Sequence, residues 1–202
     1  MASLKMRKRE ISMLKQMSGI DPRAVNGLLQ KIKKHHHGVC QHSLNVARLS
    51  AQLAHQLALT AVEVYIISIG ALLHDIGKIS LPHAILDKQG KLNEDEWALV
   101  KKHPQVGVSI VSQYDWAQQL EPMILLHHER LDRKGYFAVS PQEIPLFARI
   151  ITLTDAFDAM VSPRPYQGQR DVRDCWEEIE RCSGTQFDPD LLQGFYSVIT
   201  RR

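Results

Sequence analysis

Residues 66–78 read IISIGALLHDIGK, an almost continuous apolar run that ends in a histidine and an aspartate. Apolar side chains recur through residues 62–73 at the three- and four-residue spacing of a buried helical face, so the run predicts a helix. His74 and Asp75 then lie at its C-terminal end. Burying two such side chains without partners would cost several kcal/mol. The stretch therefore predicts a polar site inside a helical protein.

Histidines and aspartates recur in the same way at other predicted helix termini and within one other apolar helix. A single buried histidine is usually a hydrogen-bonded core residue, whereas this repetition favours a shared site. Its members are His42, His74, Asp75, His103, His127, His128, Asp155 and Asp158.

Imidazole and carboxylate groups are ligands for borderline or hard transition metals such as iron, manganese, zinc or nickel. The set exceeds what one ion needs, so two ions are the simpler interpretation. A structural zinc site is disfavoured because the three cysteines form no C-x-x-C pair. The pattern indicates a two-metal centre.

The composition is that of a soluble globular protein: 202 residues, 44% apolar and 23% charged. No apolar run reaches the roughly 18 residues that a membrane span requires, and no export signal is recognisable. The odd number of unclustered cysteines fits a reducing compartment. We expect a cytoplasmic protein, and the sequence does not predict its oligomeric state.

The net charge of +3 is unevenly distributed. Residues 1–34 hold nine basic and two acidic side chains, which gives +7, and the remainder therefore carries −4. The division predicts a basic helical N-terminal arm over 1–34 and one domain over 35–202. The arm could contact a protein partner, or it could be a solvated amphipathic helix pair. It lacks interleaved aromatic residues for base stacking, so no specific nucleic acid is expected.

Helix signals dominate the chain and no convincing strand is present. Thr60 with Glu63, and Asn93 with Glu96, have the spacing of capping boxes. Residues 80–90 and 131–143 are predicted loops. The fold class is therefore all-α. The predicted helices cover residues 41–59, 62–73, 94–102, 104–113, 116–129, 145–161, 172–182 and 189–199.

The ordered set His42-Ser43, His74-Asp75-Ile76-Gly77-Lys78, His103-Pro104, His127-His128-Glu129 and Asp155 resembles the HD superfamily of metal-dependent phosphohydrolases, specifically its HD-GYP branch. The resemblance implies an HD-type helical bundle with a metal site between helices. It also implies two divalent ions, with iron or manganese favoured over zinc or nickel in this family. The implied reaction is hydrolysis of a cyclic dinucleotide, with cyclic di-GMP as the favoured substrate. The implied ligands are His42, His74, Asp75, His103, His127, His128 and Asp155, with Asp75 bridging.

The resemblance assigns catalysis to Asp75 and Lys78. The Lys78 ammonium could neutralise a phosphate oxygen in the transition state. The alternative for Lys78 is a cation that interacts with a helix C-terminus.

Substrate contacts are implied for Lys78, Tyr136 and Arg164, the last by its planar guanidinium. The branch's loop has Asp-Gly-x-Gly-Tyr-Pro, whereas this chain has Arg133 for the first glycine and Phe137 for the proline. Gln167 also replaces a basic residue.

Gly38 stands where some family members carry a glutamate that helps to hold a third metal, which predicts two metals here. The neighbouring His35, His36 and His37 could replace it or could form a solvated helix end.

Two other functions stay open. One is a catalytically weak or inactive module that senses a cyclic dinucleotide or docks a partner. The other is a phosphohydrolase for a different nucleotide or a phosphomonoester.

Overall fold

The structure, a computed structural model, describes residues 13–14, 16–162 and 171–200. These residues include short 3₁₀ helices and no strand, which confirms the predicted all-α class. Ten α-helices lie wholly within the described ranges: α1 Pro22–His35, α2 His37–Gln56, α3 Ala61–Leu73, α4 His83–Leu86, α5 Glu94–Val100, α6 His103–Val111, α7 Glu121–Leu126, α8 Leu146–Val161, α9 Val172–Arg181 and α10 Pro189–Thr200.

Both predicted capping boxes are present. The Glu63 carboxylate accepts a hydrogen bond of 2.8 Å from the Thr60 amide, and Thr60 Oγ1 accepts one of 3.3 Å from the Glu63 amide. Asn93 and Glu96 make the reciprocal pair at 2.8 Å each. These bonds satisfy amide groups that the first turn of a helix leaves unpaired, and so they fix where α3 and α5 begin.

The predicted helix over 116–129 is wrong. The chain instead forms a 3₁₀ helix at Asp115–Gln119 and then α7. Pro122 explains the break, because its ring clashes with the carbonyl four residues earlier and it has no amide hydrogen. The predicted loop over 80–90 also contains α4.

Helix α2 begins at His37, four residues before its predicted start. The imidazole Nδ1 of His36 caps this helix by accepting a hydrogen bond of 3.1 Å from the Val39 amide. Histidine is not among the preferred N-cap residues, so this helix start could not be predicted from capping preferences.

Helix α2 lies at the centre of the bundle and packs against α1, α3, α8 and α10. Val25, Leu28 and Ile32 of α1 are buried in the same core as Leu53 of α2. The predicted division between residues 34 and 35 thus falls at the end of a helix that packs into this core. Residues 1–12 and Lys15, which include five of the nine basic side chains of the predicted arm, lie outside the described residues.

The 3₁₀ helix Ile76–Ser80 follows α3 and packs directly on α6. A Cβ atom at Gly77 would lie 1.9 Å from the carbonyl oxygen of His103, so only glycine allows this approach. The contact brings the end of α3 next to the start of α6. None of the helices in the described ranges is long and apolar enough to cross a membrane.

Candidate metal centre

The predicted ligands converge in space, although more than a hundred positions separate the first from the last. His74, His103 and His127 are fully buried, and Asp75 is 1% exposed. Six of the seven predicted ligands form two groups, each with ligand atoms within 4.8 Å of one another, whereas Asp155 belongs to neither group. The first group comprises Asp75, His103, His127 and His128, and the second comprises His42, His74 and Asp75.

Asp75 belongs to both groups, with one carboxylate oxygen in each. Its Oδ1 atom lies 3.2 Å from His103 Nε2 and 3.9 Å from His127 Nε2. Its Oδ2 atom lies 3.4 Å from His74 Nε2 and 3.9 Å from His42 Nε2. A carboxylate with its two oxygens facing different ligand sets has the arrangement needed to bridge two cations.

Three histidines are oriented by the helix ends that precede them. The Nδ1 atom of each donates a hydrogen bond to the carbonyl oxygen three residues earlier, a group that a helix C-terminus leaves without an intrahelical partner. Each bond leaves the Nε2 lone pair free to bind a metal, as the outer hydrogen bonds of metal-ligating histidines do. The bonds are His74 to Ala71 at 2.7 Å, His103 to Val100 at 2.8 Å and His127 to Ile124 at 2.9 Å.

This arrangement leaves buried polar atoms that fit a cation. His74 Nε2 and Asp75 Oδ1 are buried without a hydrogen-bond partner. His103 Nε2 lies 3.2 Å from His127 Nε2. Because the opposite nitrogen of each ring carries the hydrogen, two lone pairs face each other there, which is unfavourable unless a positive charge binds both.

The electrostatic environment keeps the side chains of His127, His128 and Asp75 in the protonation states that bind metals. Burial, reinforced by neighbouring histidines, holds the pKa of His127 well below its usual range. Burial also lowers the pKa of His128 to about 3. Burial alone would raise the pKa of Asp75. The charge of Lys78 and the nearby His74 and His103 outweigh this effect and hold the pKa of Asp75 well below its usual range. Neutral imidazoles and an ionised carboxylate result, as metal binding requires.

His42 lies between two aspartates of α8. Its Nε2 atom is 2.8 Å from Asp155 Oδ1, and its Nδ1 atom is 2.7 Å from Asp158 Oδ2. Burial lowers the pKa of His42, but these two hydrogen bonds outweigh it and raise the pKa to about 9. The carboxylates therefore stabilise positive charge at this corner of the cluster.

The role of Asp158 was not predicted. It is hydrogen-bonded to His42, a predicted ligand, and belongs to neither of the two groups, and it also accepts a hydrogen bond of 3.0 Å from Ser162 Oγ. Its spacing of three residues from Asp155 was the available signal. Spacing alone, however, could not distinguish a ligand from a residue that orients one.

Lys78 and Tyr136 both border the cluster. Lys78 Nζ lies 2.6 Å from Asp75 Oδ2. The Tyr136 ring lies with its centroid 4.5 Å from that of His128. Arg164 and Gln167, the other two positions discussed for substrate contacts, lie outside the described residues.

The loop that carries Tyr136 is built around Glu129, which is 2% exposed. Its carboxylate accepts hydrogen bonds from the amides of Phe137, at 2.7 Å, and Val139, at 3.1 Å. A proline at 137 could not donate the first of these bonds. A Cβ atom at Gly135 would lie 2.6 Å from Glu129 Cα, so this glycine is required by close approach.

Arg133, where the branch pattern has its first glycine, adopts a φ of +60°. This left-handed conformation favours glycine, so the backbone keeps the glycine-type turn although the side chain is an arginine. The substitution therefore strains the loop locally without preventing its turn.

A cavity of about 300 Å³ opens above the cluster. His42, His103, His128, Asp155 and Lys78 form its polar floor. Its remaining lining is largely apolar and includes Trp97, which the sequence interpretation did not consider. A second cavity of about 460 Å³ borders His42, Asp75 and Lys78 on the side of His36 and Asp87.

The chain is similar to known cyclic dinucleotide phosphodiesterases. It is 37% identical over 161 residues to a cyclic di-GMP phosphodiesterase of Thermotoga maritima, covering 78% of this chain and 44% of that protein. It is 39% identical over 152 residues to the 3′3′-cGAMP-specific phosphodiesterase 3 of Vibrio cholerae, covering 75% and 33%. The chain thus spans less than half the length of these relatives.

Among solved structures, the fold is similar to that of Bd1817, an HDG"Y"P protein from Bdellovibrio bacteriovorus. The TM-score is 0.66 at 21% identity, with 80% of this chain and 52% of that chain covered. This likeness supports the fold. The sequence profile of the family described as HD domain matches residues 20–191, a range that includes α1 and every predicted ligand. The predicted resemblance is thereby confirmed, and the chain belongs to the HD domain family.

Proposed function

We propose that this chain is a metal-dependent phosphodiesterase that hydrolyses a cyclic dinucleotide, with cyclic di-GMP as the favoured substrate. The observation that carries the proposal is the Asp75 carboxylate, whose two oxygens face two separate groups of imidazoles. The similarity to relatives named as cyclic di-GMP and 3′3′-cGAMP phosphodiesterases supports the substrate class.

The proposed cofactors are two divalent ions, with iron or manganese favoured over zinc or nickel. His103, His127 and His128 would hold one ion, His42 and His74 the other, and Asp75 would bridge them. Asp155 has one oxygen 2.8 Å from His42 and the other 4.0 Å from His128, which supports its role as the seventh ligand. A set of imidazoles and carboxylates without thiolates suits these metals.

Two divalent cations, when bound, offset the negative charge of a phosphodiester and activate water for attack. The chain's own residues supply the surroundings. Helix ends fix the histidines, and Asp158 orients His42 through its Nδ1 atom. Lys78 lies beside Asp75 on the cavity floor, where its ammonium can contact a non-bridging phosphate oxygen as negative charge develops there.

The direct test is incubation of metal-loaded protein with cyclic di-GMP, followed by separation of the nucleotides. Conversion to a linear dinucleotide or a mononucleotide is the expected result. Asp75→Asn should lower the rate at least ~100-fold, because it removes a charged ligand shared by both groups. Asp174→Asn changes an exposed aspartate of α9 and should leave the rate unchanged.

The same experiment separates the alternatives. Binding of cyclic di-GMP without any product would identify a sensor or docking module and contradict hydrolysis. Failure to bind either cyclic di-GMP or 3′3′-cGAMP, together with hydrolysis of another nucleotide or a phosphomonoester, would identify a different phosphohydrolase. Faster turnover of 3′3′-cGAMP than of cyclic di-GMP would retain the reaction class and correct the substrate.

A further inference from the structure

The cavity beside the metal centre is lined by two chemically different sets of side chains. One set, its floor, comprises the imidazole, carboxylate and ammonium groups described above. The other includes apolar side chains of α4, α5 and the segment between them: Ile85, Leu86, Leu92, Trp97 and Val100. A phosphate group has no complement in this second set. The ligand must therefore carry an apolar or aromatic part beside its phosphate.

Trp97 is the largest of these side chains, and it is 44% exposed. Its indole lies edge-on to the Tyr136 ring, with centroids 6.0 Å apart and planes at 83°. An aromatic face left open next to a phosphate-binding floor is the arrangement that nucleic-acid-binding proteins use to stack bases.

Trp97 is also held rigidly relative to the metal centre. Helix α5 is fixed at its start by the Asn93 and Glu96 capping box, and Glu96 is 2.5 Å from Lys88 Nζ. At its end, the Val100 carbonyl accepts the hydrogen bond that orients His103. One helix of seven residues therefore sets the position of both the indole and a metal-ligand histidine.

We infer that Trp97 is a specificity-determining residue that stacks on a nucleobase of the substrate, with Tyr136 forming the adjoining wall. The inference rests on the proposed function and extends it, because it explains why a nucleotide rather than a small phosphodiester would occupy the site. Trp97 acts on binding, whereas Lys78 and the metal ligands act on the reacting phosphate.

The test uses the metal-loaded 202-residue chain and two probes, cyclic di-GMP and inorganic phosphate. Trp97→Ala should weaken cyclic di-GMP binding about 10-fold or more by calorimetry and raise KM with a smaller change in kcat, since base stacking contributes on that scale. Trp97→Phe should restore most of the affinity. Phosphate affinity and metal content should stay at the wild-type values, because neither depends on the indole.

Leu99→Ala is the matched control, since Leu99 is on the same helix, equally exposed at 44% and not among the cavity-lining residues. It should bind cyclic di-GMP as the wild type does. A Trp97→Ala affinity within about twofold of wild type, with hydrolysis intact, would overturn the stacking role and leave the proposed function standing. Absence of any cyclic dinucleotide binding by the wild type would overturn both.

Tryptophan fluorescence gives an independent readout that needs only conservative variants. Cyclic di-GMP should quench the emission of the wild type and of Trp176→Phe, which changes a tryptophan packed on Tyr196 at a distance from the site. The quenching should disappear in Trp97→Phe. Undiminished quenching in Trp97→Phe would contradict the contact, even if Trp97→Ala failed to fold.

Discussion

At the scale of single residues, Asp158 shows how a side chain outside the two ligand groups can control them. It accepts the Nδ1 hydrogen of His42, while the Nε2 atom of the same ring lies 2.8 Å from Asp155, so the two carboxylates together fix the orientation of the imidazole. Outer hydrogen bonds of this kind typically change metal affinity 10- to 100-fold when they are lost. His74, His103 and His127 are oriented in the same way, with backbone carbonyls in place of the carboxylate.

Asp158→Asn should therefore lower metal affinity ~10- to 100-fold while the helices stay folded. A metal titration followed by calorimetry measures the affinity, and circular dichroism checks the fold. Ser162→Ala removes the hydrogen bond to the other oxygen of Asp158 and serves as the control, with affinity close to wild type. Equal losses in the two variants would count against an orienting role.

Arg133 is a second residue whose environment makes a prediction. Its φ of +60° is unfavourable for a side chain with a Cβ atom, and its side chain is exposed. Arg133→Gly should raise the free energy of unfolding by up to ~1 kcal/mol, after the entropy cost of glycine. Urea denaturation measures this change. Lys134→Gly, at the adjacent exposed position, should lower the same free energy, and a loss of equal size at both positions would refute the strain.

At the scale of secondary-structure elements, the site depends on the close contact between the 3₁₀ helix Ile76–Ser80 and α6. Gly77 permits that contact because any Cβ atom would overlap the His103 carbonyl. The 3₁₀ helix follows Asp75 directly, and α6 begins at His103. The separation of these two elements therefore sets the distance between Asp75 and His103, two of the proposed ligands.

Gly77→Ala should lower the free energy of unfolding by ~1–3 kcal/mol, the usual result of overpacking, and should also weaken metal binding. Gly27→Ala in α1 is the matched control, because no atom lies within 4 Å of the added Cβ. That substitution should stabilise the protein by ~0.5–1 kcal/mol through helix propensity. Unchanged metal affinity in Gly77→Ala would show that this packing contact does not influence metal binding at the site.

Local sequence signals predicted most of the helices, but not all of their boundaries and not the contacts between segments. Thr60 with Glu63 and Asn93 with Glu96 fixed two helix starts because a capping box uses residues only three apart. The break at Pro122 was in the sequence but was outweighed by the apolar periodicity around it. The His36 cap had no recognisable signal. The role of Trp97 depends on a cavity formed by several segments, which no local pattern reports.

At the scale of the whole molecule, the residues at the end of the predicted basic arm pack into the common core. Ile32 of α1 is fully buried, and the family profile begins at residue 20. We propose that residues from about 20 onward fold as one unit. The charge asymmetry suggested a separate arm because Lys31, Lys33 and Lys34 occupy exposed positions between the buried ones.

Ile32→Ala should accordingly lower the free energy of unfolding of the entire protein by ~2–5 kcal/mol, the cost of a core cavity. Thermal and urea unfolding should each show a single transition. Lys31→Ala, next to it on the exposed face, should have little effect. An unchanged midpoint for Ile32→Ala would indicate that α1 is independent of the bundle.

The metal content of the purified protein tests the two-ion centre most directly. Elemental analysis of anaerobically handled protein should find two divalent ions per chain, mainly iron or manganese. In Asp75→Ala, which removes the shared carboxylate, both ions should be lost while the helical signal is retained. A wild-type content of one ion or none, or an unchanged content in Asp75→Ala, would contradict the bridging role of Asp75 and with it the proposed hydrolase.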